Sequence, residues 1–132
     1  MLVNCGSAQL RVVAENVTGG LLLEDCVGCE IETSHVESFA GPGAEPGIIL
    51  DNCRGCVVRA SVVEDWSERK PTGILLRNGT TRCLIEPSMH AGVGLSVDDG
   101  GTRGNTIHRQ AWPAWSPAIP WRVSSRRNTV IG

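Results

Sequence analysis

Three sets of positions recur in phase along this chain, and that recurrence constrains its fold more than any other feature. Gly20-Leu21-Leu22-Leu23-Glu24-Asp25-Cys26-Val27-Gly28-Cys29-Glu30-Ile31 aligns with Gly47-Ile48-Ile49-Leu50-Asp51-Asn52-Cys53-Arg54-Gly55-Cys56-Val57-Val58 at ten identical or similar positions. Gly73-Ile74-Leu75-Leu76-Arg77-Asn78 opens a third copy. One column reads Ala8, Cys29, Cys56, Cys83, Asn105, Asn128, at intervals of 21, 27, 27, 22 and 23 residues. Two residues later, Leu10, Ile31, Val58, Ile85, Ile107 and Val130 are apolar in every copy. Three residues earlier than the first column, Cys5, Cys26, Cys53, Thr80, Thr102 and Ser125 are all small. Such a copy is too short for a helix pair and lacks the leucine-rich pattern. Its short β-type runs, separated by Asn, Asp, Gly and Ser, predict strands and turns. Stacked in parallel, equivalent positions would lie about 4.8 Å apart, so that like residues touch like.

Composition agrees. Sixteen Gly, seven Pro, a single Lys and no Tyr argue against a helical bundle. At 132 residues the chain reads as one all-β domain spanning 1–132. No apolar run approaches the ~18–20 residues of a membrane helix, so no membrane partner is expected. The N-terminus lacks the basic and apolar regions of a secretion signal, and a cytoplasmic protein is expected. A net charge of −2 argues against a nucleic-acid partner of the basic-patch kind. The charge is unevenly spread, −7 over residues 1–66 and +5 over residues 67–132. In a stacked fold without capping helices, that split predicts a homo-oligomer joined through oppositely charged ends.

The Gly-Ile-x-Leu opening, followed by Asn-x-Ile as in Asn105-Thr106-Ile107 and Asn128-Thr129-Val130, resembles the right-handed parallel β-helix repeat. Pectate-lyase-like enzymes, polygalacturonases, periplasmic copper-system repeat proteins and phage tailspikes share that repeat. The resemblance implies a right-handed parallel β-helix of about six coils, short for the family, with Cys where most members place Asn. It is specific for fold alone.

Insertions fall at one phase of the repeat: Ser38–Pro46, Asp65–Thr72 and Gln110–Trp121. They are expected to emerge on one side and hold every aromatic residue of the chain: Phe39, Trp66, Trp112, Trp115 and Trp121. One-sided indoles would stack on sugar rings, which makes polysaccharide the expected ligand of a non-catalytic binding or structural protein. For the Trp-rich, Pro-spaced segment 111–121 the favoured reading is a lid laid over the stack, which leaves the binding role more open to Trp66 and Phe39.

Two alternatives accompany that reading. Glu37 and Glu64 align in the repeat, with His90 within one position of the same column, and neighbouring carboxylates raise one another's pKa as a general acid requires. These three are the catalytic candidates of a small polysaccharide hydrolase, as the resemblance implies. The alternative role for them is a solvated column. Asp98-Asp99-Gly100-Gly101 reads as a tight turn or as a paired-aspartate site. Arg59 and Arg77 are the positions open to a lyase base. The second alternative is a zinc protein. Cys26-x-x-Cys29 and Cys53-x-x-Cys56 have knuckle spacing. Against it, Cys5 and Cys83 occupy the same columns without a second Cys in their own copies. Thr, Ser and Asn fill those columns elsewhere, so a small, weakly polar buried side chain suffices. No cofactor is expected on that account.

Overall fold

The structure is a computed structural model and describes residues 1–15, 21–37, 46–60, 63–64, 72–87, 90–91, 94–97, 101–108, 122–123 and 127–131. Over these residues the chain runs as β1 (Leu2–Val3), β2 (Gln9–Glu15), β3 (Leu21–Glu24), β4 (Glu30–Glu37), β5 (Ile48–Asp51), β6 (Val57–Ala60) and β7 (Val63–Glu64). It continues as β8 (Thr72–Arg77), β9 (Leu84–Pro87), β10 (His90–Ala91), β11 (Gly94–Val97), β12 (Thr106–His108), β13 (Arg122–Val123) and β14 (Thr129–Ile131). Every pairing is parallel. One sheet has the order β1-β3-β5-β8-β11-β13, and the second runs β10-β7-β4-β6-β9-β12-β14 with β2 also paired to β4. The protein is all-β with parallel sheets, and no described helix is long and apolar enough to cross a membrane.

The register follows the repeat. Leu10 pairs with Ile31, Ile31 with Val58, Val58 with Ile85, Ile85 with Ile107, and Ile107 with Val130. Between the two sheets a line of single-residue bridges joins Gly6, Val27, Arg54, Thr81 and Arg103. Each copy therefore contributes a strand to one sheet, a bridge residue, and a strand to the other.

The core is made of columns. Leu23, Leu50 and Leu76 stack from the first sheet with Ile48 and Ile74, and Ile31, Val58, Ile85 and Ile107 oppose them from the second. All are at most 2% exposed, and each buried Leu or Ile contributes about 1.5–3 kcal/mol relative to exposure. The described core holds no aromatic residue. The outer faces alternate in charge: Arg11, Glu32, Arg59 and Glu86 are successive register partners. Arg59 hydrogen-bonds Glu86 at 3.0 Å and also reaches Glu30. On the other sheet Arg77 Nε donates to Asp51 at 2.6 Å.

Candidate functional site

The cysteines occupy two columns at the corners between the sheets, five of them buried and Cys5 partly so. In the first column Cys5 reaches only Val3 O of its own copy, at 3.4 Å, whereas the next three side chains each have two carbonyls in reach, one in their own copy and one in the copy before. Cys26 Sγ reaches Glu24 O at 3.3 Å and Leu2 O at 3.6 Å, and Cys53 Sγ reaches Asp51 O at 3.5 Å and Leu23 O at 3.3 Å. Thr80 Oγ1 does the same, to Arg77 O at 2.8 Å and Leu50 O at 3.0 Å. In the second column Cys29 Sγ donates to Cys5 O and Cys56 Sγ to Cys26 O, at 3.6 and 3.5 Å. Asn105 Nδ2 likewise donates to Thr80 O at 2.9 Å, and its Oδ1 accepts from the Cys83 N–H at 2.9 Å. Thiol, hydroxyl and amide are thus one donor in three forms.

That donation bears on Cys26, Cys29, Cys53 and Cys56 as metal ligands, because a thiol must lose its proton to bind zinc. Burial pushes the Cys29 thiol up. Hydrogen bonding to Cys56, and then burial, push Cys53 and Cys83 far up. Interaction with the thiols of Cys53 and Cys83 holds Cys56 well below its ordinary value. Among the described residues no group of three or more His, Cys, Asp or Glu is placed to hold a metal.

The backbone brings the proposed carboxylates into register. Glu37 pairs with Glu64, and Glu64 with Ala91, so that His90 stands opposite Val63, one position off the column. The sequence reading omitted a third member: Glu15 pairs with Glu37. The register shift between Val12 and Val13 brings it there, and an alignment without gaps would not reveal it. Phe39, Trp66, Trp112, Trp115, Trp121 and the Asp98-Asp99 pair lie outside the described residues. Arg59 and Arg77 are held in ion pairs, and the hydrogen bond to Glu86 raises the pKa of Arg59, which removes it further from a base's role.

A site that the repeat did not announce lies on the corner between the sheets. Along the bridge line Arg54 is followed by Thr81 and then Arg103. The next position in each copy reads Ser7, Gly28, Gly55, Arg82, Gly104. Its N–H donates to the following copy's backbone, as from Gly55 to Thr81 O at 3.0 Å and from Gly104 to Arg127 O at 2.9 Å. Arginine therefore changes sides over three steps, Arg54 on the first line, Arg82 on the second and Arg103 on the first, and Arg127, whose carbonyl accepts from Gly104, follows. Successive steps are about 4.8 Å apart along the stacking direction. Thr81 and Gly104 occupy the alternate places, and together the six residues line an open furrow of about 620 Å³.

All four arginines are exposed. Among the described residues no carboxylate lines the furrow, and Arg54, Arg82 and Arg103 make no ion pair, in contrast to Arg11, Arg59 and Arg77. A concavity of about 390 Å³ beside β2 is lined by Arg11, Glu30 and Glu32, where opposite charges offset one another. At Arg54, Arg82 and Arg103 the furrow gathers positive charge with no carboxylate in its described lining, which is the electrostatic form of an anion site.

Comparison with protein-family models, with curated proteins and with solved structures gives no match for this chain.

Proposed function

We propose that the chain is a right-handed parallel β-helix of about six coils that binds its ligand without transforming it, and that this ligand is an anion held in the arginine furrow. The observation that carries the reading is the meeting of Arg54, Arg82, Arg103 and Arg127 in one furrow with no acid among its described lining residues. Guanidinium groups present rigid forks of donors that match oxyanions in pairs, and like charges held this close repel unless a counter-charge joins them. Nothing described in the lining is a carboxylate, imidazole or thiol, so its one hydroxyl, that of Thr81, has no general base among the described lining residues to activate it. Binding is the function this composition supports.

Calorimetric titration at low ionic strength tests the proposal. Pyrophosphate should bind, its affinity should fall as salt is added, and a neutral oligosaccharide should give no heat at the furrow. The double variant Arg54→Gln/Arg103→Gln should lose the pyrophosphate heat. Absence of binding, or binding untouched by the double substitution, would sink the reading.

A further inference from the structure

Arg82 sits where its own column argues against it. The position has a left-handed backbone, with φ of 53° at Ser7, 65° at Gly28 and Gly55 and 67° at Gly104, and Arg82, the one long side chain there among the described residues, adopts 55°. Glycine enters that region freely, whereas a long side chain there is strained. The left-handed turn belongs to the corner, but the arginine side chain adds nothing to it, since Arg82 is exposed and makes no described ion pair. A long side chain held at a left-handed corner where glycine would serve is the kind of strain that collects at functional positions. The arginine stem runs beside Gly104, where an added Cβ would stand in ordinary contact, 3.9 Å from Arg82 Cγ.

Resting on the anion reading of this furrow, we infer that its ligand is a linear polyphosphate chain laid along the stacking direction, with Arg82 as the anchoring residue. Arginines recurring at about 4.8 Å per step suit a slender, unbranched chain so dense in charge that each fork meets a phosphoryl without a fixed register. A phosphoanhydride chain carries a charge on each internal phosphoryl and has no side groups for the furrow to house. A sugar or nucleotide polymer would bring one ring per charge, and rings are held by aromatic faces. The described lining has none: Thr81 and Gly104 are its only uncharged members.

The experiment compares orthophosphate, tripolyphosphate, an oligothymidylate and a sulfated disaccharide by calorimetry, on the unmodified chain and on Arg82→Gly. Tripolyphosphate should bind at least about tenfold more tightly than orthophosphate, because charge-assisted bonds from several guanidiniums add. It should also exceed the thymidylate and the sulfated disaccharide. Arg82→Gly restores the column's glycine, so it should fold, melt at a higher temperature, and bind tripolyphosphate about tenfold more weakly. Arg82→Lys, which keeps the strain and loses the fork, should also bind more weakly without the gain in melting temperature. Equal affinity for ortho- and tripolyphosphate, tighter binding of the thymidylate or sulfated sugar, or an unchanged affinity in Arg82→Gly would each overturn the polyphosphate inference while leaving an anion furrow standing. Failure of every anion to bind would instead overturn the furrow reading itself.

Discussion

Two residues in each copy turn the chain, and they do so by the same backbone conformation. Asn4, Asp25, Asn52 and Asn78 have φ between 51° and 54°, and the second corner holds Gly28 and Gly55 at 65°. Asn and Asp enter the left-handed region because their short polar side chains find local partners, as Asn52 Nδ2 does on Asp25 at 2.6 Å. Glycine enters it because it lacks a Cβ. At Gly55 the two possible reasons for glycine separate, since an added Cβ would meet nothing within 4 Å. Gly55→Ala should therefore destabilise by about 1 kcal/mol through backbone strain alone. Urea unfolding checks this: the midpoint should fall with an unchanged slope, and an unchanged midpoint would mean that the corner relaxes out of the left-handed region. These corners were legible in the sequence as turn residues. The strain at Arg82 was not, because an arginine in a variable surface position carries no local sign of a positive φ.

At the scale of the element, the strand ladders are held together by side chains that reach from one copy to the next. Asn105 is the fullest case. It is fully buried, accepts from the Cys83 N–H, donates to Thr80 O, and shares a 2.9 Å bond with Asn128 Oδ1. Asn105→Ala removes the partner of a buried N–H and of a buried carbonyl at once, and should cost about 3 kcal/mol. Chemical unfolding measures it, and a loss below about 1 kcal/mol would show that water enters to replace the amide. The ladders were readable beforehand because each falls in one column, where Cys, Thr and Asn alternate at a fixed phase. The arginine furrow was not, for the converse reason. Arg54 and Arg103 belong to one column and Arg82 to its neighbour, so neither column reads as conspicuously basic. Only the folded corner merges them. Glu15 escaped in a similar way, hidden by the register shift that brings it opposite Glu37.

Across the whole molecule, the charge split of −7 and +5 between the halves was visible in the sequence, and three of the four furrow arginines belong to the basic half. Which charges are paired and which stand apart depends on register, and the response to pH depends on that pairing. Burial pushes Asp51 up, but hydrogen bonds from Asn78 and Arg77, together with the Arg77 charge, outweigh it and leave the carboxyl lowered. A carboxyl lowered in the folded state contributes stability above its unfolded value of about 3.9, and that contribution is lost as pH falls through the folded value. The thiols of Cys29, Cys53 and Cys83 are raised, so the folded state holds their protons when the unfolded chain, with thiols near 8.5, has released them. Their contribution is full below that unfolded value and is lost as pH rises beyond it, at about 1.4 kcal/mol per pH unit for each proton retained. Cys56 is lowered in the same cluster, so its contribution is present above the unfolded thiol value and is lost as pH falls, in the same direction as that of Asp51. Stability should therefore decline toward acid pH and fall steeply above about pH 9. Urea unfolding at pH 3, 7 and 10 checks both limbs, with Asp51→Asn expected to flatten the acid one and Cys53→Ser to soften the alkaline one. Stability that holds through pH 10 in the reduced protein would mean that these thiols ionise as freely folded as unfolded, contrary to their burial between the carbonyls of successive copies.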